Sequence, residues 1–222
     1  MAVEKTSVVR LASVTSTQDV ARELPIGSIV VADHQSAGRG RLDRRWEAPA
    51  GSALLVSFVI EPDPLLSLAA GVAAAEACDR DVRLKWPNDL LLEGRKLGGI
   101  LVEVTQGKAI CGIGINLTWA PPEGAMLLHP SRDQLLERLR SRLAHWTRAS
   151  GDAVLARWRR LSDTLGRRVR IELPGRSIEG IAQDIGPEGA LIIDGVPYVS
   201  GSVTHLPRAP KSAAKPHRND HG

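Results

Sequence analysis

The chain has 222 residues, 43% hydrophobic and 24% charged, with a formal net charge of +4; this fits one ordinary domain with a small appendage and excludes a disordered or fibrous chain. Arg208, Lys211, Lys215 and Arg218 sit with Asp220 near the end, so residues 1–207 carry only +1, which argues against a broad basic face for nucleic acid. Cys78 and Cys111 lie in apolar runs, reading as core thiols rather than a disulfide framework or a zinc site.

In chain order, the opening MAVEKTSVVR is charged and has no apolar signal core, so a reducing cytoplasm is the expected location. VVRLASV predicts a strand, TQDVARELP a helix and SIVVADH a second strand. Gln35 to Gly51 is rich in Gly, Arg and Asp without a hydrophobic period, and reads as a long loop of the functional kind. SALLVSFVI is a buried strand, and Pro64 to Arg80 an Ala-rich helix too short to span a bilayer. VRLKWPNDLLLEGRKLGGILVEV predicts strands broken at Trp86-Pro87 and turned at Glu93-Gly94, and AICGIGINL another strand. Helices are expected at about Ser131–Thr147 and Asp152–Leu165, parted at Ser150-Gly151. After Gly166 the pattern alternates, with turns at Pro174-Gly175, Gly186-Pro187, Glu188-Gly189 and Asp194-Gly195, so short strands form a small β-barrel with Val169, Ile171 and Leu173 on one face. The expectation is an α+β fold: a mixed β-sheet flanked by helices over residues 1–165, a C-terminal SH3-like β-barrel over 166–207, and a disordered basic tail over 208–222.

Several segments carry chemistry, each with a plainer alternative. Gly38-Arg39-Gly40-Arg41 offers close backbone approach and two cations for a carboxylate or phosphate, or is simply a surface loop. Arg44, Arg45 and Trp46 add charge and a flat apolar face. In Lys85-Trp86-Pro87-Asn88-Asp89, Asp89 can hold Mg²⁺ with phosphate oxygens, or cap its own turn. Lys96 enters an apolar strand, either snorkelling or neutralising charge on an acyl phosphate. The glycines of Gly112-Ile113-Gly114-Ile115-Asn116 permit close approach of a ligand, or tight sheet packing. Ser16-Thr17-Gln18-Asp19 fits a capping box, and a helix start also offers free donors to a ligand.

These segments occur together in one order, with Lys96 eleven residues after Lys85. In that combination the chain resembles the biotin protein ligase family over about residues 8 to 206, and the barrel after Gly166 resembles that family's C-terminal domain. The resemblance implies that Ser16, Thr17, Gln18 and Gln35 line a pocket for biotin's ureido ring. Arg39, Gly40 and Arg41 match the loop that folds over biotin and its adenylate. Lys96 matches the lysine beside the reacting carboxylate, and Lys96, Arg39 and Arg41 form the implied catalytic set. Lys85, Asn88, Asp89, Asn116 and Trp46 match the ATP side, with Asp89 toward Mg²⁺. The implied activity is ATP-dependent biotinylation of one lysine on a biotin carboxyl carrier protein domain, through biotinyl-5'-AMP, by a monomer or homodimer without specific DNA or membrane binding.

The chain departs from the family pattern at two positions: Gln18 stands where Asn is usual, and Asp43 where Gly is common. On the second, pairing of Asp43 with Arg44 or Arg45 is expected rather than repulsion of the ligand phosphate. The winged DNA-binding segment of bifunctional relatives is not expected in this chain. A lipoate or octanoate ligase or transferase of the same fold is the nearest alternative, followed by a biotin-sensing repressor and a non-catalytic biotin-binding relic.

Overall fold

Seven β-branched and aliphatic runs form one sheet, in the order β1-β2-β3-β7-β6-β5-β4. The strands are β1 (Val8–Val14), β2 (Ile29–Gln35), β3 (Ala53–Ile60), β4 (Val82–Lys85), β5 (Asp89–Leu92), β6 (Arg95–Thr105) and β7 (Lys108–Asn116). β1 and β2 run parallel, joined through the short helix α1 (Thr17–Arg22), and the other neighbours are antiparallel. The sheet is therefore mixed, as expected. The computed structural model describes residues 7–207; the reading of 208–222 as a disordered tail falls outside the described residues.

Strand side chains alternate between faces, and here the two faces differ in what they hold. Ile29, Val31, Leu54, Val56, Phe58, Ile113 and Ile115 point into the main core. That core is closed by α2 (Leu66–Ala77), α3 (Arg132–Trp146) and α4 (Gly151–Leu161). α2 is apolar all round because it is enclosed by the sheet on one side and by α3 and α4 on the other. Each buried Leu or Val in it, such as Leu66 or Val72, contributes about 1.5–3 kcal/mol over exposure. On the opposite face α1 covers one corner, where Ala21 meets Val30, Val59 and Ile110. The rest of that face lies open to a cavity.

The C-terminal strands are β8 (Arg168–Leu173), β9 (Arg176–Ile185), β10 (Leu191–Ile193), β11 (Val196–Tyr198) and β12 (Ser202–His205). All pair antiparallel, in the order β11-β10-β9-β8-β12. The end strands β11 and β12 are not neighbours, so hydrogen bonding does not close this sheet on itself. Val169 and Ile171 point inward as their alternation requires, and Leu173 is half-buried. The Asp194-Gly195 turn has both residues at positive φ, the geometry of a tight two-residue hairpin loop.

Three local expectations need correcting. α4 stops at Leu161, short of Leu165, because Ser162 turns extended and its hydroxyl accepts from Thr164 N and Leu165 N. α2 is trimmed at both ends relative to Pro64–Arg80. α1 has only half of a capping box: Ser16 Oγ accepts from Gln18 N at 3.3 Å, while the Asp19 carboxylate is drawn to Arg39.

Candidate active site

Sheet register carries the chemistry to the open face. Lys85 pairs with Asp89, Asp89 with Gly99, Gly99 with Gly114, and Gly114 with Leu55, so these residues form one row across four antiparallel contacts. The next row holds Leu101, Gly112 and Ser57. Cross-strand partners share a face, so cations, a carboxylate and small residues collect on the side that α2–α4 leave uncovered.

Lys96 reaches this face through a β-bulge. Leu90 pairs with Gly98, but Leu91 pairs with Lys96, leaving Leu97 as an extra residue. Counting back in strict alternation from Gly99 would aim Lys96 into the core and Leu97 into the cavity. The bulge reverses both: Leu97 is fully buried, and Lys96 Nζ lies 2.6 Å from Asp89 Oδ1. Gly98 makes this possible, since a Cβ there would stand 2.5 Å from the Gly114 carbonyl oxygen.

At the neutral end, Thr17 N and Oγ1 both donate to Gln35 Oε1, at 2.7 and 2.9 Å. Thr17 Oγ1 also shares a 2.8 Å hydrogen bond with Ser57 Oγ, which in turn meets Gln18 Oε1 at 3.1 Å. Ser16, Thr17 and Gln18 are buried and line the cavity with Gln35. Ser57 was missed by sequence reasoning; the signal for it is one hydroxyl in the otherwise apolar strand ALLVSFVI.

The segment expected as a long loop contains a miniature hairpin over Gly38–Trp46. Trp46 N donates to Gly38 O and Gly40 N to Arg44 O, and Arg39 pairs with Arg45. Its tip is Leu42-Asp43, with φ of 54° and 57°, a left-handed pair of the type that closes two-residue hairpins. Asp43 is explained by this geometry, since Gly and Asp both tolerate it better than most residues. The expected pairing of Asp43 with Arg44 or Arg45 is absent: Asp43 makes no ion pair among the described residues. The arginines look elsewhere. Arg44 Nη2 donates to Ser202 Oγ at 3.1 Å, and Arg41 Nη1 reaches Gly201 O and Asn88 Oδ1 at 3.4 and 3.5 Å. The C-terminal sheet thus completes the cavity wall through Gly201, Ser202 and Val203, a contribution the sequence did not reveal.

Trp46 lies against the sheet over Gly114, its indole Nε1 buried without a hydrogen-bond partner. Gln18 lies likewise over Gly112. The space left by these two glycines is therefore filled by the protein's own side chains. Burial holds the Lys85 ammonium below its usual range, with Asp89 pulling it back up; burial draws the Arg41 guanidinium down against the same carboxylate. Asn88 donates from Nδ2 to Ile100 O at 2.8 Å, fastening the segment after Trp86-Pro87 to β6. Of the sequence-predicted residues, Asn116 alone is not on the cavity wall: it is buried and its amide donates to Ala125 O. Ala125 N in turn donates to Lys96 O, so Asn116 supports the backbone behind Lys96. Both cysteines are buried, their thiols pushed up to about 12.

Among the described residues no three acidic, His or Cys side chains converge as a metal cage. Asp89 is the one carboxylate lining a cavity that also presents Arg39, Arg41, Arg44, Arg45, Lys85 and Lys96. Hard oxygen chemistry of this kind suits Mg²⁺ arriving with nucleotide phosphates rather than a bare ion. No helix among the described residues is long and apolar enough to cross a membrane.

Comparison with known proteins agrees with this geometry. Residues 8–119 match the Biotin/lipoate A/B protein ligase family and residues 164–206 the Biotin protein ligase C terminal domain. The chain is 37% identical to a biotin–acetyl-CoA-carboxylase ligase of Mycobacterium tuberculosis, over 81% of this chain and 79% of that protein. It is 32% identical to the bifunctional ligase/repressor BirA of Escherichia coli, over 82% of this chain and 67% of that one. The biotin protein ligase of Aquifex aeolicus, solved in complex with biotin and ATP, superposes with a TM-score of 0.78 at 27% identity, covering 90% of this chain and 99% of that chain. The chain belongs to the biotin protein ligase family.

Proposed function

We propose that this chain activates biotin with ATP to biotinyl-5'-AMP and transfers the biotinyl group to a lysine of a carboxylase carrier domain. The observation that carries the reading is one cavity with two unlike ends. Ser16, Thr17, Gln18 and Gln35 present polar groups at one end, with Ser57 bracing Thr17 and Gln18 from behind, and Lys85, Lys96, Arg41 and Asp89 supply charge at the other. A ureido ring fills the first with matching N–H and C=O groups. A dithiolane ring has no N–H or C=O to offer this polar end, which disfavours lipoate.

In this reading, biotin's carboxylate attacks the α-phosphorus of ATP and pyrophosphate leaves. Lys96 sits where it offsets the repulsion between the two anions, and Arg39 and Arg41 steady the charge on the phosphate oxygens. Asp89 would hold Mg²⁺ arriving with the nucleotide, and that ion would supply further charge neutralisation. Trp46 shields the mixed anhydride from water. The acceptor amine then attacks the acyl carbon, Lys96 stabilises the oxyanion, and AMP leaves as the amide forms and a proton is released. Neither thiol takes part. Incubation of a purified carrier domain with the protein, biotin, ATP and Mg²⁺ should add one biotinyl mass to one lysine. Addition of a lipoyl group instead, when lipoate is offered, would overturn the assignment of substrate.

A further inference from the structure

We propose that Glu103 and Asp19 are positioning residues for Arg39, and that Gln18 connects them to the ring pocket; this rests on reading the cavity as a biotin site. Arg39 Nη1 lies 2.8 Å from Asp19 Oδ1, and Nη2 lies 3.6 Å from Glu103 Oε2. The same Glu103 oxygen accepts from Arg22 Nη2 at 2.9 Å and from Gln18 Nε2 at 3.4 Å. One carboxylate thus touches the loop, the helix and the floor of the pocket.

The hydrogen-bonding state of Arg39 makes this contact more than a surface pair. Its Nη2 is buried and has no hydrogen-bond partner among the described residues. Nη1 is held by Asp19, and Nη2 faces Glu103 just beyond hydrogen-bond length, so the two carboxylates flank both terminal nitrogens of the guanidinium. Two carboxylates therefore hold the planar fork in one orientation where Arg39 lines the cavity. Position 18 then acquires a reason for Gln. Its amide donates to Leu101 O at 3.3 Å as well as to Glu103, while its Oε1 accepts from Ser57, which meets Thr17 in the ring pocket. Asn is one carbon–carbon bond shorter, about 1.5 Å, and from the same backbone could not span both contacts at these lengths.

The test compares the intact protein with Glu103→Gln, Arg39→Ala and the double variant. Tryptic cleavage after Arg41, Arg44 and Arg45 reports the loop without any ligand, and titration with biotin reports the pocket. Glu103→Gln should speed cleavage and weaken biotin by about two- to fivefold, as expected for one partly exposed charged contact. In the Arg39→Ala background, Glu103→Gln should change neither. Glu103→Asp should recover part of both. Equal effects of Glu103→Gln in the two backgrounds would show that Glu103 acts through Arg22, and no effect in the wild-type background would also overturn the proposal. Should Glu103→Gln fail to fold, Asp19→Asn removes the other carboxylate from Arg39 and is read the same way. A wild-type protein that does not bind biotin would defeat the ligase reading alone, because the cleavage cycle still decides whether Glu103 holds the loop.

Discussion

Replacing Gly114 by Ala probes how the loop is seated on the sheet. A Cβ at this position would stand 2.7 Å from Trp46 Cε2 and 2.9 Å from Cζ2. Carbon atoms settle at about 3.5–4.0 Å, so the indole must lift by about 1 Å. Overpacking of this size costs about 1–3 kcal/mol. The strain has two outlets: the sheet can distort, or the hairpin carrying Trp46 can swing away. β7 is clamped between β3 and β6 over its whole length, whereas the hairpin is held by few backbone bonds, so the hairpin should yield. Biotin affinity should then fall by about 5- to 150-fold, the equivalent of that cost, while the melting temperature moves little. Gly98→Ala is the contrast, because its Cβ would meet the backbone oxygen of Gly114 at 2.5 Å and no side chain can move aside. It should lower the melting temperature by several degrees, at about 2–4 °C per kcal/mol. Calorimetric titration with biotin and thermal melting of both variants separate the two cases. A Gly114→Ala protein that binds biotin normally but melts early would refute the argument.

Other outcomes follow from the same geometry. Lys96→Ala should slow adenylate formation by about 10²–10³ with a smaller loss of biotin affinity; an unchanged single-turnover rate would remove its catalytic role. His205 is pushed down to about 4, first by burial and then by Lys85 and Arg167. An unfolded histidine titrates near 6.5, so the stability that neutral His205 contributes is full above that pH and falls as pH drops toward 4, by up to about 3 kcal/mol; urea midpoints of His205→Gln should show a flatter acid branch. Glu76 accepts from Arg157 Nε at 2.8 Å and Trp146 Nε1 at 3.0 Å, joining α2 to α3 and α4. Glu76→Ala should therefore lose about 2–4 kcal/mol in chemical denaturation, and a loss below half a kcal/mol would mean these partners re-pair with water. Asp43→Gly should leave adenylate release unchanged or slower, since Gly adopts the left-handed tip at less cost; clearly faster release in stopped flow would show that the Asp43 side chain fastens the loop after all.

Much of the frame was legible in the sequence because sheet and helix periods differ. Runs such as SALLVSFVI and AICGIGINL became β3 and β7, the Ser131 start became a true helix cap, and Ser150, read as part of a break, caps α4. The residues expected at the site converge on one cavity with the exception of Asn116. What escaped depended on partners distant in the chain. The bulge at Leu97 exists only in the pairing of β5 with β6. The hairpin tip uses Leu42 in a conformation that Leu seldom adopts, so no turn signal marks it. Asp19 and Glu103 look like ordinary solvated charges until Arg39 is folded between them. The approach of Gly201 and Ser202 to the loop arginines joins residues some 160 positions apart, beyond any local pattern.

The extra residue in β6 also bears on how the chain finds its pairing. If β6 slid into unbroken alternation against β5, Lys96 would face the side where Leu90 and Leu92 pack. Its ammonium would lose Asp89 and water together, and a lone charge in such a place is strongly unfavourable. The slipped arrangement would also expose Leu97, which is fully buried in the native sheet. A slipped pairing of β5 with β6 would therefore carry the cost of burying a charge that the native register holds at Asp89. A neutral substitution of Lys96 would lower the energy of the slipped register as well as remove a cation from the cavity.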